Sequence, residues 1–175
     1  MFRYKILSGL FCLTFISISC QQDLIINNIE PIEEVPLAYD GVDEALWDYF
    51  NRFEEEAQER GIILNLRAAN ITGEIMELGE EGVAGQCTYN PHLPNHVTID
   101  LGFWENASDR AREFVVFHEL GHCELGRDHR EESNANGTCL SLMRSGLGTC
   151  RDNYHSLTRP AYLDELFDAR FFDEI

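Results

Sequence analysis

The feature that most constrains the fold of this 175-residue chain is the run HELGH at positions 118–122. It lies within residues 107–125, where we predict a helix between a capping residue and a glycine that ends it. Residues four apart lie on the same face of a helix, so His118 and His122 would present two imidazole rings to one metal ion. The run therefore predicts a helix that carries two ligands of a metal site.

A third imidazole follows a few residues later. Gly126 can end the helix, and His129 lies on the returning chain. Three histidines and a water molecule make an open tetrahedral zinc site, and Glu119 lies beside the first of them. A carboxylate at that place can take a proton from the zinc-bound water and pass it to a leaving group. The residues predict metal-assisted hydrolysis, with one Zn²⁺ held by His118, His122 and His129.

The stretch HELGHCELGRDH, residues 118–129, resembles the metzincin clan of zinc peptidases, whose motif is H-E-x-x-H-x-x-G-x-x-H followed by a methionine turn. This chain has one residue more between His122 and Gly126. Counting from His122 places Asp128 in the third-ligand position, whereas counting from Gly126 places His129 there. The preference of such zinc sites for imidazole favours His129, and Asp128 stays open as the alternative third ligand.

The same resemblance implies a role for Met143, in the run SLMRS. It would be the residue of the methionine turn, an apolar floor under the zinc that makes no bond to the metal. The resemblance also implies a zincin-like α+β fold. Its small mixed sheet would pack on an N-terminal helix and on the active-site helix, with an irregular methionine-turn segment and a short C-terminal helix behind them. A peptide or protein would be the substrate.

The other elements follow from periodicity and from turn residues. Apolar side chains at three- and four-residue steps predict a helix over residues 44–60, which Asp43 can cap and Gly61 ends. Asn106 or Ser108 would cap the helix that carries HELGH. We predict strands at 62–67, 71–78, 83–89 and 97–101, an irregular segment at 127–154 and a last short helix at 161–167, just after Pro160.

The start of the chain predicts export. Arg3 and Lys5 precede an apolar run over residues 6–18 that is too short to span a bilayer comfortably. The segment that ends in Cys20 resembles a bacterial lipobox, which implies an acylated Cys20, although Ser17 stands where an aliphatic residue is usual. Ordinary secretion is the competing interpretation.

We therefore expect a signal peptide over 1–19, a tether over 20–40 and one metzincin-like catalytic domain over 41–175. A hydrophobic fraction of 44% is enough for one core. The expected location is the bacterial cell envelope, with a lipid anchor as the membrane contact, at the periplasmic or surface side of the outer membrane. A net charge of -18 would repel phosphate backbones, so we expect no nucleic-acid partner, and we expect a monomer.

Four of the six cysteines lie beyond the predicted signal and lipid site. Exported cysteines usually form disulfides, and four of them allow three pairings. The sequence does not choose among these pairings. We favour Cys139 with Cys150, which would close a short loop, and Cys87 with Cys123.

Two other functions stay open beside the peptidase. One is a non-catalytic surface lipoprotein whose zinc-stapled domain binds a partner, and the other is a metallohydrolase of non-peptide amides. Glu119 argues against the first, because a structural zinc site needs no general base but does need a fourth protein ligand.

Other polar side chains could assist the site. Tyr154 could stabilise an oxyanion and Asp100 could orient a metal ligand, but a packed or solvated side chain is the simpler interpretation of both. His92 and His96 flank a turn with two prolines, where exposure is expected, and His155 lies far beyond the motif.

Overall fold

The computed structural model describes residues 38–89, 92–146 and 148–172. The predicted signal peptide, the lipid site at Cys20 and residues 20–37 of the predicted tether lie outside the described residues. The described part of the chain is α+β. Its elements, in order, are a 3-10 helix (Glu44–Leu46), α1 (Trp47–Glu59), β1 (Thr72–Met76), β2 (Gly85–Thr88), β3 (His96–Asp100), α2 (Leu101–Asn106), α3 (Asp109–Cys123), α4 (Gly148–Asp152), α5 (Arg159–Leu166) and a 3-10 helix (Ala169–Phe171).

The three strands form one small mixed sheet in the order β1-β3-β2. β1 runs parallel to β3, with Ile75 opposite Ile99, and β2 runs antiparallel to β3, with Gln86 opposite Thr98. The central strand β3 is the most buried, and β2 pairs with it along one side only. The expected small mixed sheet is confirmed; β1 and β2 are shorter than predicted, and β3 has the predicted length but begins one residue earlier.

The prediction of a strand at 62–67 is wrong. Its residues form an irregular connection that continues into turns. Within it the Leu66 N–H donates to the Glu54 carboxylate of α1 at 2.7 Å, so this backbone group has a side-chain partner instead of a neighbouring strand. Leu66 is fully buried, which explains why an apolar pattern was present without a strand.

The helix that carries HELGH is α3, and it begins later than predicted. Ser108 caps it by accepting a hydrogen bond from the Ala111 N–H. The preceding residues form α2, a separate helix that the sequence did not predict. Asp100 caps α2 by accepting the Phe103 N–H at 2.8 Å, and it also accepts the Leu78 N–H. Asp100 therefore holds a strand-to-helix junction and does not orient a metal ligand.

The remaining helices agree with prediction in kind but differ in extent. The predicted N-terminal helix is present, with its first turn in 3-10 form. α4 interrupts the segment that was predicted to be wholly irregular, and α5 begins at Arg159 because Pro160 fits the first turn of a helix. None of the helices in the described ranges is long and apolar enough to cross a membrane.

α3 lies at the centre of the hydrophobic core. Its residues 113–117 are all buried, because α1 covers one side of the helix while β2 and β3 cover another. Phe53 of α1 meets Phe117 of α3 edge-to-face, with ring centroids 5.2 Å apart. The helix that carries the histidines is thus also the helix on which the core is built.

Two disulfides connect the irregular parts to this core. Cys87 of β2 pairs with Cys123, the last residue of α3, with their Cα atoms 5.7 Å apart. Cys139 pairs with Cys150 of α4, with Cα atoms 5.3 Å apart. These are the two pairs that the sequence analysis favoured.

Loss of each disulfide should destabilise the fold to a different degree. A cross-link stabilises mainly by restricting the unfolded chain, so a loop of 36 residues should contribute about 4 kcal/mol and one of 11 residues about 3 kcal/mol. Urea unfolding of the Cys87→Ser/Cys123→Ser and Cys139→Ser/Cys150→Ser variants measures both. A larger loss from the second pair would contradict this prediction.

Candidate metal centre

Three imidazole rings converge beside α3. His118, His122 and His129 each offer one nitrogen, and these atoms all lie within 4.8 Å of one another. The Nε2 atoms of His118 and His122 are 3.1 Å apart. Two nitrogens bound to one zinc at the tetrahedral angle lie about 3.3 Å apart, given a Zn–N distance of 2.0–2.1 Å. The spacing of this pair therefore fits a shared ion.

The orientation of two rings is fixed by backbone carbonyls. His118 Nδ1 lies 2.9 Å from the Leu142 oxygen, and His122 Nδ1 lies 2.5 Å from the Arg127 oxygen. A carbonyl oxygen can only accept, so each Nδ1 must carry the hydrogen and donate it. In the neutral rings both Nε2 atoms are then left with lone pairs that face each other.

Burial keeps these rings neutral. It lowers the pKa of His118 to about 4, and it also lowers the pKa of His122. Near neutral pH a proton is therefore not available to sit between the two Nε2 atoms. Two lone pairs at 3.1 Å repel each other, whereas a cation between them is attracted by both, so the donor set fits a metal ion.

The third histidine is placed by a reversal of the chain after α3. Gly126 has a φ of +60°, a left-handed conformation that favours glycine, and the Arg127 N–H then donates to the Gly121 carbonyl at 2.9 Å. His129 follows three residues after Gly126, on the chain that returns toward α3. The Arg130 N–H donates to the Met143 carbonyl at 2.9 Å, and this bond connects the returning chain to the segment around Met143.

The extra residue relative to the metzincin pattern lies in the turn between the end of α3 and Gly126. α3 ends at Cys123, and residues 124–125 form a turn before Gly126. His129, not Asp128, belongs to the group of converging ligand atoms. Asp128 is exposed and lies along the same cleft.

Met143 packs directly under the helix between the two histidines. It is fully buried, and a Cβ atom added to Gly121 would lie 2.5 Å from its sulfur. The absence of a side chain at Gly121 is therefore what lets Met143 approach α3 so closely. Met143 makes an apolar surface on the side of the helix from which the Leu142 carbonyl reaches His118.

Glu119 lines the same cleft and is buried. Burial raises the pKa of its carboxyl group to about 8, and the Cys87 N–H, which donates to it, opposes that shift. Gly85 of β2 packs against this side chain so tightly that a Cβ atom there would lie 2.8 Å from both Cγ and Oε1 of Glu119. β2 thus positions the carboxyl group by both a hydrogen bond and a close contact.

The cleft that contains these groups has a volume of about 760 Å³. One wall is β2, the floor is α3, and the far wall is the chain that follows Gly126. Because the Asp100 N–H donates to the Ala84 carbonyl, residues 84, 86 and 88 direct their backbone groups toward β3. The backbone groups of Gly85 and Cys87 therefore point in the opposite direction, away from β3, on the side where Cys87 meets Glu119.

Other candidate side chains lie elsewhere. Tyr154 is buried and donates to Glu113 at 2.7 Å, so it is a packed side chain and not an oxyanion ligand. His96 contacts Thr72 and Glu74, and neither it nor the exposed His155 belongs to the converging group.

Sequence reasoning missed the groups that orient the imidazoles. The carbonyls of Arg127 and Leu142 carry no residue-type signature, because every residue has one. A weak signal was present in Arg127 itself, a charged residue inside a tight turn. Its side chain proves to be buried.

Comparison of the chain with protein-family models, with curated proteins and with solved structures finds no match.

The third ligand can be tested directly. Because the His129 nitrogen converges with the other two and the Asp128 carboxylate does not, His129→Ala should weaken zinc binding by more than the roughly 10- to 100-fold that loss of an outer-shell partner costs. Asp128→Ala should bind zinc like the wild type. Competition with a chromophoric chelator measures both affinities. The reverse order would assign the third position to Asp128.

Proposed function

We propose that this chain is a zinc-dependent metallopeptidase of the metzincin type, with one zinc held by His118, His122 and His129. The observation that carries the proposal is the convergence of three imidazoles and one buried carboxyl group, Glu119, in a single open cleft. Three protein ligands leave a coordination position for water and substrate, which is typical of catalytic zinc and not of structural zinc.

The chemistry divides between the ion and the chain. A bound zinc supplies Lewis acidity, which makes water a nucleophile at neutral pH and polarises the scissile carbonyl. A cation bound beside Glu119 would lower the pKa of its carboxyl group and favour the ionised form. That carboxylate accepts the proton of the attacking water and donates it to the leaving amine. The Cys87 N–H holds the Glu119 carboxyl group in place for both transfers.

An extended peptide is the substrate that fits the wall of the cleft. Gly85 directs its N–H and carbonyl away from β3 and Cys87 its carbonyl, and an extended strand can pair with such groups by adding itself to the sheet edge. The contact between Gly85 and Glu119 places that edge immediately beside the general base. A scissile bond aligned on β2 would then lie close to both Glu119 and the metal.

The non-catalytic alternative has weaker support. A structural zinc needs a fourth protein ligand, and the converging group in the described residues consists of three. The buried Glu119 would also have no function there. The two disulfides support an oxidising compartment, in accord with the proposed export and lipid anchoring at Cys20.

The decisive test is removal of the general base with the metal retained. Glu119→Gln keeps an oxygen that can accept the Cys87 N–H but cannot take a proton. It should lower kcat on a peptide library by about 10²- to 10⁴-fold while zinc content is unchanged. Wild-type protein that holds one zinc per chain and cleaves no peptide would contradict the peptidase assignment.

Gly85 gives a second test, outside the zinc ligands. Gly85→Ala should displace the Glu119 carboxyl group, because the added Cβ would lie 2.8 Å from it. A displacement near 1 Å costs about 10²-fold in rate. Thr88→Ala, at an exposed position of the same strand, is the control. Equal peptidase activity in both variants, with equal zinc content, would show that β2 does not position the base.

A further inference from the structure

Behind the metal centre, one carboxylate connects the segments that carry the ligands. Glu165 of α5 accepts hydrogen bonds from Arg127 at 2.6 Å, from Arg130 at 2.9 Å and from Ser141 at 2.6 Å. Two of these donors lie in the chain that returns from α3, and the third lies in the segment before Met143. In the described structure these partners do not include His118, His122 or His129.

The first connection leads to His122. The Arg127 side chain is 2% exposed and its guanidinium also donates to the carbonyls of Glu165 and Leu166, at 2.9 and 2.6 Å. Arg127 is therefore fixed at the end of α5 by three bonds. Its own carbonyl oxygen is the acceptor for His122 Nδ1, so the position of Arg127 sets the orientation of that ring.

The second connection leads to His118. Ser141 Oγ donates to Glu165 and accepts the Met143 N–H at 2.9 Å, which fixes the turn between them. Leu142 lies in that turn, and its carbonyl oxygen is the acceptor for His118 Nδ1. The two carbonyls that orient the ligands are thus held, through Arg127 and Ser141, by the same carboxylate.

We propose that Glu165 is a positioning residue of the metal centre, an inference that rests on the proposed metal site. Its removal leaves the buried charge of Arg127 without its counter-ion, and a buried charge in that state rearranges to find other acceptors. Movement of Arg127 moves the carbonyl that orients His122. Loss of the Ser141 bond at the same time releases the turn that orients His118.

The test compares zinc affinity across matched variants. Glu165→Ala should lower zinc affinity by about 10- to 100-fold, the usual cost of losing a partner that orients a metal ligand. Glu165→Gln keeps one acceptor oxygen and should lose less. Glu132→Ala is the control, because Glu132 also pairs with Arg130 at 3.2 Å but is exposed and contacts neither Arg127 nor Ser141 in the described structure.

Three measurements separate positioning from stability. Chelator competition gives the zinc affinity, and the visible absorption spectrum of the cobalt-substituted protein reports ligand geometry. Thermal unfolding of the metal-free variants gives the stability. Wild-type zinc affinity and an unchanged cobalt spectrum in Glu165→Ala, whatever the change in Tm, would overturn the proposal, as would an equal affinity loss in Glu132→Ala.

The remaining outcomes also decide. If Glu165→Ala does not fold, Glu165→Gln and Ser141→Ala replace it, and wild-type zinc affinity in both overturns the role. Wild-type protein that binds zinc but cleaves no peptide would contradict the proposed peptidase function. The zinc affinities of the variants would still test the role of Glu165. Wild-type protein that binds no zinc contradicts both.

Discussion

The Nδ1 hydrogens of His118 and His122 each go to a backbone carbonyl, that of Leu142 and that of Arg127. The proposed chemistry of the cleft depends on these two bonds, because they decide which nitrogen of each ring faces inward and leave that nitrogen with a lone pair. They also make the orientation of these rings depend on two chain segments outside HELGH, the turn at Arg127 and the segment around Leu142. A metal centre of this kind is as well ordered as the loops that supply its carbonyls.

α3 carries two of the three candidate metal ligands and also the centre of the core, and this dual role couples stability to geometry. Four apolar residues, 114–117, immediately precede His118, and all are buried. Four consecutive residues point in all directions around a helix, so α3 is enclosed at this level. Specific contacts, such as that of Phe117 with Phe53 of α1, therefore set the direction in which the two histidines face. Gly121 completes the arrangement, because only a residue without a side chain admits Met143 beneath that face.

Most of the features that could be predicted are local, although α2 was missed, and the two disulfide pairs are the tertiary features that were predicted. HELGH, Ser108 and Gly126 act through helix spacing, capping and a left-handed turn, which depend on nearby residues. The strand predicted at 62–67 failed because Leu66 is buried by α1 with its N–H on Glu54, a contact that no periodicity reveals. The role of Glu165 was missed for the same reason, since its three partners come from distant segments.

The candidate centre lies between two different kinds of interaction, a disulfide and an ion pair. On the cleft side, the Cys87–Cys123 disulfide joins β2 to the end of α3, next to His122. Behind the centre, Glu165 holds Arg127 by charge. A covalent bond keeps its length in any surroundings, whereas an ion pair is strong only where water is excluded. The Phe171 ring, 5.1 Å from the Arg127 guanidinium, helps to shield that pair. Packing at the C-terminal end of the described chain therefore contributes to the environment of Arg127, whose carbonyl is the acceptor for His122 Nδ1.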